Sequence, residues 1–327
     1  RPPRSTLFPY TTLFRSNYTW DILGSQGAMP GSMGGYYTTY VNNNSVDSKG
    51  MDLMLTHDSR IGDFNLGAKL NLSYAKTRYL KYQDSPNTPD YAKRIGKSPW
   101  MMPGLVAVGL FQSEAEIDNS AYIQGARPRP GDIKYKDLNG DGVISYAQDR
   151  ALVGKPNRPE LTAGLDLYGS YKGFDFSMLF TAGAMHEISL TATYYNYNDD
   201  NTIYTRPFKA GANSPVFLVE QSWRPDNTAG TFPRLSITPP NTNNAYASTF
   251  WFRDGKYLRM KSAQLGYTLP KSISSKIGSD NIRFYVEGTN LFTLSGLPEG
   301  IDPERPGVTN GYYPQQRTIM GGLTISF

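Results

Sequence analysis

The dominant pattern along the chain is a two-residue alternation of apolar and polar side chains. Phe64, Leu66, Ala68, Leu70, Leu72 and Tyr74 fall on one face, against Asn65, Gly67, Lys69, Asn71 and Ser73 on the other. Leu161, Ala163, Leu165, Leu167 and Tyr171 repeat the pattern against Thr162, Asp166, Tyr168 and Ser170. Phe174, Phe176, Met178, Phe180 and Ala182 do so against Asp175, Ser177 and Thr181. Shorter runs follow at Ile282, Phe284 and Val286, and at Ile319, Leu323, Ile325 and Phe327. Helical periodicity nowhere reaches comparable strength. The pattern predicts about eight strands, at Asn17–Leu23, Ser45–Asp58, Phe64–Ala75, Glu160–Tyr171, Phe174–Ala184, Phe250–Leu269, Asn281–Leu291 and Thr318–Phe327. The expected class is all-β and antiparallel, with one apolar and one polar face.

Connection lengths separate two versions of that class. Tight turns at Ile61–Asp63 and Lys172-Gly173 alternate with long excursions at Thr77–Pro159, Met185–Thr249 and Thr293–Gln316. A compact soluble domain rarely carries such loops. Strands of about ten alternating residues, short turns at one end and long loops at the other are the signature of an outer-membrane barrel. The apolar face then meets lipid, the polar face a wet lumen, and closure leaves no unpaired edge in hydrocarbon. Tyr74, Tyr171, Phe174, Tyr257 and Tyr267 lie near strand ends, as an interfacial girdle requires. The competing expectation is a soluble β-sandwich, which places turns every 8–12 residues. An even strand count puts Phe327 on the short-turn side. A closing strand that ends on an aromatic resembles the signal read by the outer-membrane barrel-assembly machinery.

Composition narrows the chemistry. The 327 residues contain no cysteine, which excludes disulfides, a cysteine nucleophile and thiolate metal sites. The two histidines, His57 and His186, are too few for a multi-histidine zinc centre. Mean hydropathy is −0.49, and no run of about 18 apolar residues marks a membrane helix. Lys and Arg are scattered, which argues against nucleic acid. The formal charge is +5. Residues 1–16, RPPRSTLFPYTTLFRS, read codon for codon as a translated short-read sequencing adapter, so native sequence is expected from Asn17. Without Arg1, Arg4 and Arg15 the charge is 33 − 3 − 28 = +2, and the basicity loses its meaning.

Several strings resemble the SusC/RagA family of TonB-dependent outer-membrane transporters. FRDGKYLRMKSAQLGYTLP (252–270) is similar to that family's penultimate-hairpin signature. RFYVEGTNLFTLSGLPEGIDPE (283–304) follows, with Asn290-Leu291 and Asp302-Pro303-Glu304; Tyr313-Pro314, Arg317 and the closing GGLTISF extend the likeness. Upstream, WRPDNT (223–228) with Pro233, GLFQSEAEID (109–118) and SKGMDLML leading to IGDFNLGAKLNLSYAKTRYL also fit. The resemblance covers 17–327. It implies the carboxy-terminal part of a barrel of about 22 strands, plugged by an N-terminal domain. It also implies a SusD-like surface lipoprotein as partner and TonB–ExbB–ExbD as energy source through the missing N-terminal region. The substrate would be an oligosaccharide or peptide, the location the outer-membrane lipid, and no enzymatic step is expected. Two other readings stand beside it: a non-transporting surface barrel or adhesin, and a soluble β-rich glycan-binding domain.

One motif is site-like. Asp137, Asn139, Asp141 and the Val143 carbonyl occupy positions 1, 3, 5 and 7 of a calcium loop, with Gly142 at position 6. Position 12 is Gln148, and the acid, Asp149, comes one residue late. The family often carries DxNxDG here. The loop therefore reads either as a Ca2+ site within 137–149 or as a metal-free Asx/Gly turn; no cofactor is required. Asp52, Asp58, Asp175 and Glu287 read as polar-face residues rather than paired catalytic carboxylates. His57 reads as packed or interfacial. Trp223, Trp251 and Phe252 are candidates for stacking on sugar rings or, more simply, for packing beneath the loops.

Overall fold

A computed structural model describes residues 4–28, 38–190, 208, 216–237, 244, 246–298, 301–304 and 315–327, with backbone alone at 4–12, 25–28 and 38–39. The first three strands are β1 (Arg4–Ala28), β2 (Thr38–Ile61) and β3 (Phe64–Lys81). A long excursion follows, carrying β4 (Met101–Gly104), β5 (Ala107–Leu110), α1 (Glu114–Asp118), β6 (Ile133–Tyr135) and β7 (Ala151–Pro156). Next come β8 (Leu161–Tyr171) and β9 (Phe174–Ala184), then a second excursion with β10 (Glu187–Ser189), α2 (Val216–Gln221) and β11 (Phe252–Asp254). The chain closes with β12 (Tyr257–Thr268), α3 (Lys271–Ser274), β13 (Asn281–Ser295) and β14 (Thr318–Ser326).

Eight strands form one antiparallel sheet in the order β1-β2-β3-β8-β9-β12-β13-β14. Sequential neighbours pair throughout, so the sheet is a meander whose turns alternate short and long. Gly62 at φ 61° and the Lys172-Gly173 pair at φ 45° and 90° make the two tight turns, where positive φ matches the strand twist. The register keeps each face intact: Leu55 pairs Leu70, Leu70 pairs Leu165, and Leu165 pairs Phe180. A bulge between Met260 and Ser262 absorbs one residue in β12 without exchanging the faces.

The apolar face of this sheet is uncovered. Leu265 is 59% exposed, Val286 57%, Ile319 72% and Leu323 52%. A water-soluble sheet would bury this stripe. The buried core lies instead among the excursions, where Leu105, Ile133, Ile144, Leu190, Leu218 and Trp251 pack together. The molecule thus carries a sheet dressed for lipid and a water-excluding core at its long-loop end. This is a segment of an antiparallel transmembrane β-barrel, as the alternation anticipated, and not a sandwich, whose inner faces would pack on each other. No described helix is long and apolar enough to cross a membrane.

Strand ends differ from the sequence reading in several places: β2 spans Thr38–Ile61 where Ser45–Asp58 was expected, β13 runs on to Ser295, and β1 to Ala28. The strand expected at 250–269 is divided, because Gly255 leaves the line: a Cβ there would lie 2.4 Å from His186 Nε2. The first part becomes β11, paired with β10, and the second becomes β12. β3 continues to Lys81, so the first excursion begins later than Thr77. β1 starts before Asn17, at Arg4, and pairs along β2 as far as Arg60. Its Thr-, Phe- and Tyr-rich stretch has the composition of a strand.

Candidate functional site

The polar face of the sheet is a continuous wall of hydrogen-bonded side chains. Tyr168 Oη donates to Asp58 Oδ1 at 2.7 Å, crossing β3 on the way. It crosses at Gly67, where any side chain would collide with the Tyr168 ring. Lys69 faces Asp166 across the β3–β8 register. Arg283 Nε donates to Asp175 Oδ1 at 3.0 Å and its Nη2 to Gln264 Oε1 at 2.8 Å; Gln264 Nε2 continues to Glu287 at 3.2 Å. Ser73 Oγ donates to Asp52 Oδ1 at 2.6 Å. Asp52, Asp58, Asp175 and Glu287 therefore each take different partners, and none forms a carboxylate pair with another.

Near the long-loop end this wall carries a buried ionic knot. Arg259, 3% exposed, donates through Nη1 to Glu304 Oε2 at 2.6 Å and through Nη2 to Asp302 Oδ1 at 2.8 Å. Its Nε reaches Thr293 Oγ1 at 2.9 Å, and Nη1 also reaches Gln315 Oε1. Lys261 Nζ adds a second cation on Glu304 at 2.7 Å, and Thr181 Oγ1 donates to Glu304 Oε1 at 3.3 Å. The planar guanidinium suits this work, since its five N–H groups serve several acceptors at once. Both halves lie in strings quoted above, Arg259 in the penultimate-hairpin string and Asp302-Pro303-Glu304 downstream. Sequence alone did not join them, because the contact spans a loop. Tyr313-Pro314 lies outside the described residues.

The DxNxDG segment forms a tight, exposed turn. Asp137 accepts the N–H groups of Gly140 at 2.7 Å and Gly142 at 2.8 Å, and these bonds, led by Gly142, hold its carboxyl below the usual range. Asn139 Oδ1 accepts from Asp141 N, and Asp141 Oδ1 from Val143 N at 2.9 Å. Asp149 is fully buried and accepts Leu138 N at 2.9 Å and Ser145 N at 2.7 Å, tying the two ends of the turn together. Among the described residues no three His, Cys, Asp or Glu side chains converge as metal ligands. The turn closes on its own N–H groups. Each carboxylate oxygen keeps a further lone pair that a hard cation could use.

The aromatic candidates are packed. Trp251 is fully buried with Nε1 donating to the Asn244 carbonyl at 3.0 Å, and Trp223 is 8% exposed with Nε1 on Gln112 Oε1 at 2.9 Å. Phe252 is 8% exposed. These rings roof the loop core and offer no stacking face. His57 takes the apolar phase opposite Ala68.

No family model matches the chain. Among curated proteins it is 31% identical over 322 residues to TonB-dependent receptor P26 of Formosa agariphila, covering 90% of this chain and 30% of that protein. TonB-dependent receptor P3 of the same organism is 29% identical over 290 residues, covering 81% of this chain and 27% of its own length. Over most of its length the chain is thus similar to one part of each of these TonB-dependent receptors.

It spans about a third or less of the relatives it matches. The solved structure of the RagAB peptide transporter superposes with a TM-score of 0.64 at 22% identity, over 97% of this chain and 33% of that one. The RagAB peptide importer in its open-open state gives 0.66 at 21% identity, covering 97% and 32%. These likenesses carry the fold, an antiparallel barrel sheet with the long excursions at one end.

Proposed function

We propose that this chain supplies the carboxy-terminal lumen wall and outer loops of a TonB-dependent outer-membrane importer. The observation that carries the reading is the division of labour in the sheet, apolar outward and polar inward, with every long excursion at one end. The imported solute is an oligosaccharide or peptide. The RagAB neighbours are described as peptide transporters, which supports the second class; the hydrogen-bonding wall around Asp58, Tyr168, Asp175 and Arg283 suits either. A SusD-like lipoprotein is the proposed partner at the loop end, with TonB–ExbB–ExbD supplying energy through the rest of the receptor.

The Arg259 knot is the proposed anchor that holds the 301–304 segment against the lumen wall, fixing the shape of the pore mouth. The 137–149 loop is a proposed accessory Ca2+ site, supported by its oxygen spacing and not required for import. Uptake of labelled oligosaccharides and peptides by cells carrying the full-length receptor tests the reading. Loss of uptake on deleting either the receptor or TonB is expected. Uptake unaffected by both deletions would sink import and favour a surface barrel.

A further inference from the structure

We propose that Lys49, Lys76 and Arg78, on the outward face of β2 and β3 at the long-loop rim, bind the phosphate groups of a phosphorylated glycolipid in the outer leaflet. The proposal rests on the membrane reading of the sheet. On β2 the outward phase reads Leu55, Leu53, Met51, then Lys49 and Asp47; on β3 it reads Leu70, Leu72, Tyr74, then Lys76 and Arg78. The register aligns these changes: Met51 pairs Tyr74, Lys49 pairs Lys76 and Asp47 pairs Arg78. Apolar surface therefore gives way to charge at one level on both strands.

Aromatic side chains mark that level as the membrane interface. Tyr74 closes the apolar run. On the neighbouring strand, Tyr18 lies opposite Asp47 and stacks on Trp20 at 5.5 Å, both rings exposed. Cations placed here on the outward phase face head groups rather than hydrocarbon or lumen.

The cluster is short of anions. Two lysines directly opposed on one face repel each other. Among the described residues Asp47 is the carboxylate ion-paired within the cluster, 3.0 Å from Lys49 Nζ and 3.9 Å from Arg78 Nη2, leaving 3 − 1 = +2. The Asp47 side chain is 6% exposed, while those of Lys49 and Arg78 are 63% and 50% exposed. The carboxylate thus sits beneath the cations and presents them outward. Glu160 precedes Leu161, on the phase that turns toward the lumen. Opposed Cβ atoms about 5 Å apart place two ammonium groups on one phosphate. Its remaining oxygens are open to the Arg78 fork. Clustered cations at the membrane surface recognise anionic head groups in this way.

The full-length protein in neutral phosphatidylcholine nanodiscs, titrated with bisphosphorylated lipid A and followed by native mass spectrometry, tests the proposal. Dephosphorylated lipid A and phosphatidylglycerol serve as comparison probes. The triple variant Lys49→Gln/Lys76→Gln/Arg78→Gln is expected to bind bisphosphorylated lipid A about 100-fold more weakly, and each single variant about fivefold. Lys49→Arg/Lys76→Arg should retain binding, and Lys69→Gln on the lumen face should leave it unchanged. Should the triple variant fail to insert, the singles decide. Equal binding by wild type and the singles, or no preference for the phosphorylated lipid, overturns the site alone. Wild type that does not enter nanodiscs overturns the membrane reading instead.

Discussion

Arg259 and Glu304 are 45 residues apart in sequence, yet Arg259 Nη1 lies 2.6 Å from Glu304 Oε2. The bond ties a loop segment to a membrane strand within a buried network, so removing the guanidinium leaves two carboxylates short of partners. Arg259→Ala is expected to cost about 3–5 kcal/mol. Arg259→Lys should recover little of it, since one ammonium cannot span Asp302, Glu304 and Thr293. Thermal unfolding in detergent reads the loss. Limited proteolysis should show new cleavage in the 296–317 loop in both variants; an unchanged midpoint and cleavage pattern would remove the anchor.

Tyr168 reaches Asp58 only because Gly67 lies between them. A Cβ on Gly67 would stand 2.1 Å from the Tyr168 ring. Gly67→Ala should push the ring aside, break the bond to Asp58 and cost about 1–3 kcal/mol. The double variant Gly67→Ala/Tyr168→Ala should be less destabilised than the sum of the singles. Strict additivity in that cycle would show that the two positions are independent.

Asp149 and the 137–143 turn predict separable effects. Asp149→Ala strands the half-buried Leu138 and Ser145 N–H groups, for a cost of about 1–3 kcal/mol. Faster amide exchange at those two residues is the check. Calcium titration by calorimetry should give binding that Asp141→Ala abolishes while the fold stays intact. Heat signals identical in wild type and Asp141→Ala would withdraw the metal.

His186 gives the loop module a pH dependence. It is 2% exposed, and its Nε2 lies against Gly255. Burial first, and then the Lys155 charge, push its pKa below the ordinary 6.5, against the Ala184 carbonyl and Asp254. The folded state therefore binds fewer protons than the unfolded state just below pH 6.5, so stability is full above that value and declines as pH falls. Unfolding midpoints at pH 7.5 and 5.5 should differ in wild type and converge in His186→Leu. Equal wild-type midpoints would refute the linkage.

How much of this was legible beforehand follows the range of the interactions. Strands such as Leu161–Tyr171 and Phe174–Ala184 declare themselves because side-chain alternation is local and repeats every two residues. The division of 250–269 was invisible, since it depends on Gly255 meeting His186, far away in the chain. The polar roles of Asp58 and Asp175 followed from phase, but their partners Tyr168 and Arg283 needed the register. Arg259 lay in a quoted string but gave no sign of its partners: one arginine in a strand looks like any other until the 302–304 segment returns to it. The DxNxDG turn was legible as a turn, whereas the part Asp149 plays beneath it required burial to be known.

The two apolar surfaces of this molecule answer to different neighbours, and that difference sets how freely each can change. Hydrocarbon chains are liquid and mould themselves to any contour, so exchanging Leu265 for Phe, or Val286 for Ile, leaves no void. Trp251 and Leu105 meet fixed neighbours at close-packed density, and changes of that size there open a cavity or force a clash. Among natural variants of this chain, the belt should drift in shape while keeping its oiliness, and the loop core should hold its residues almost letter for letter.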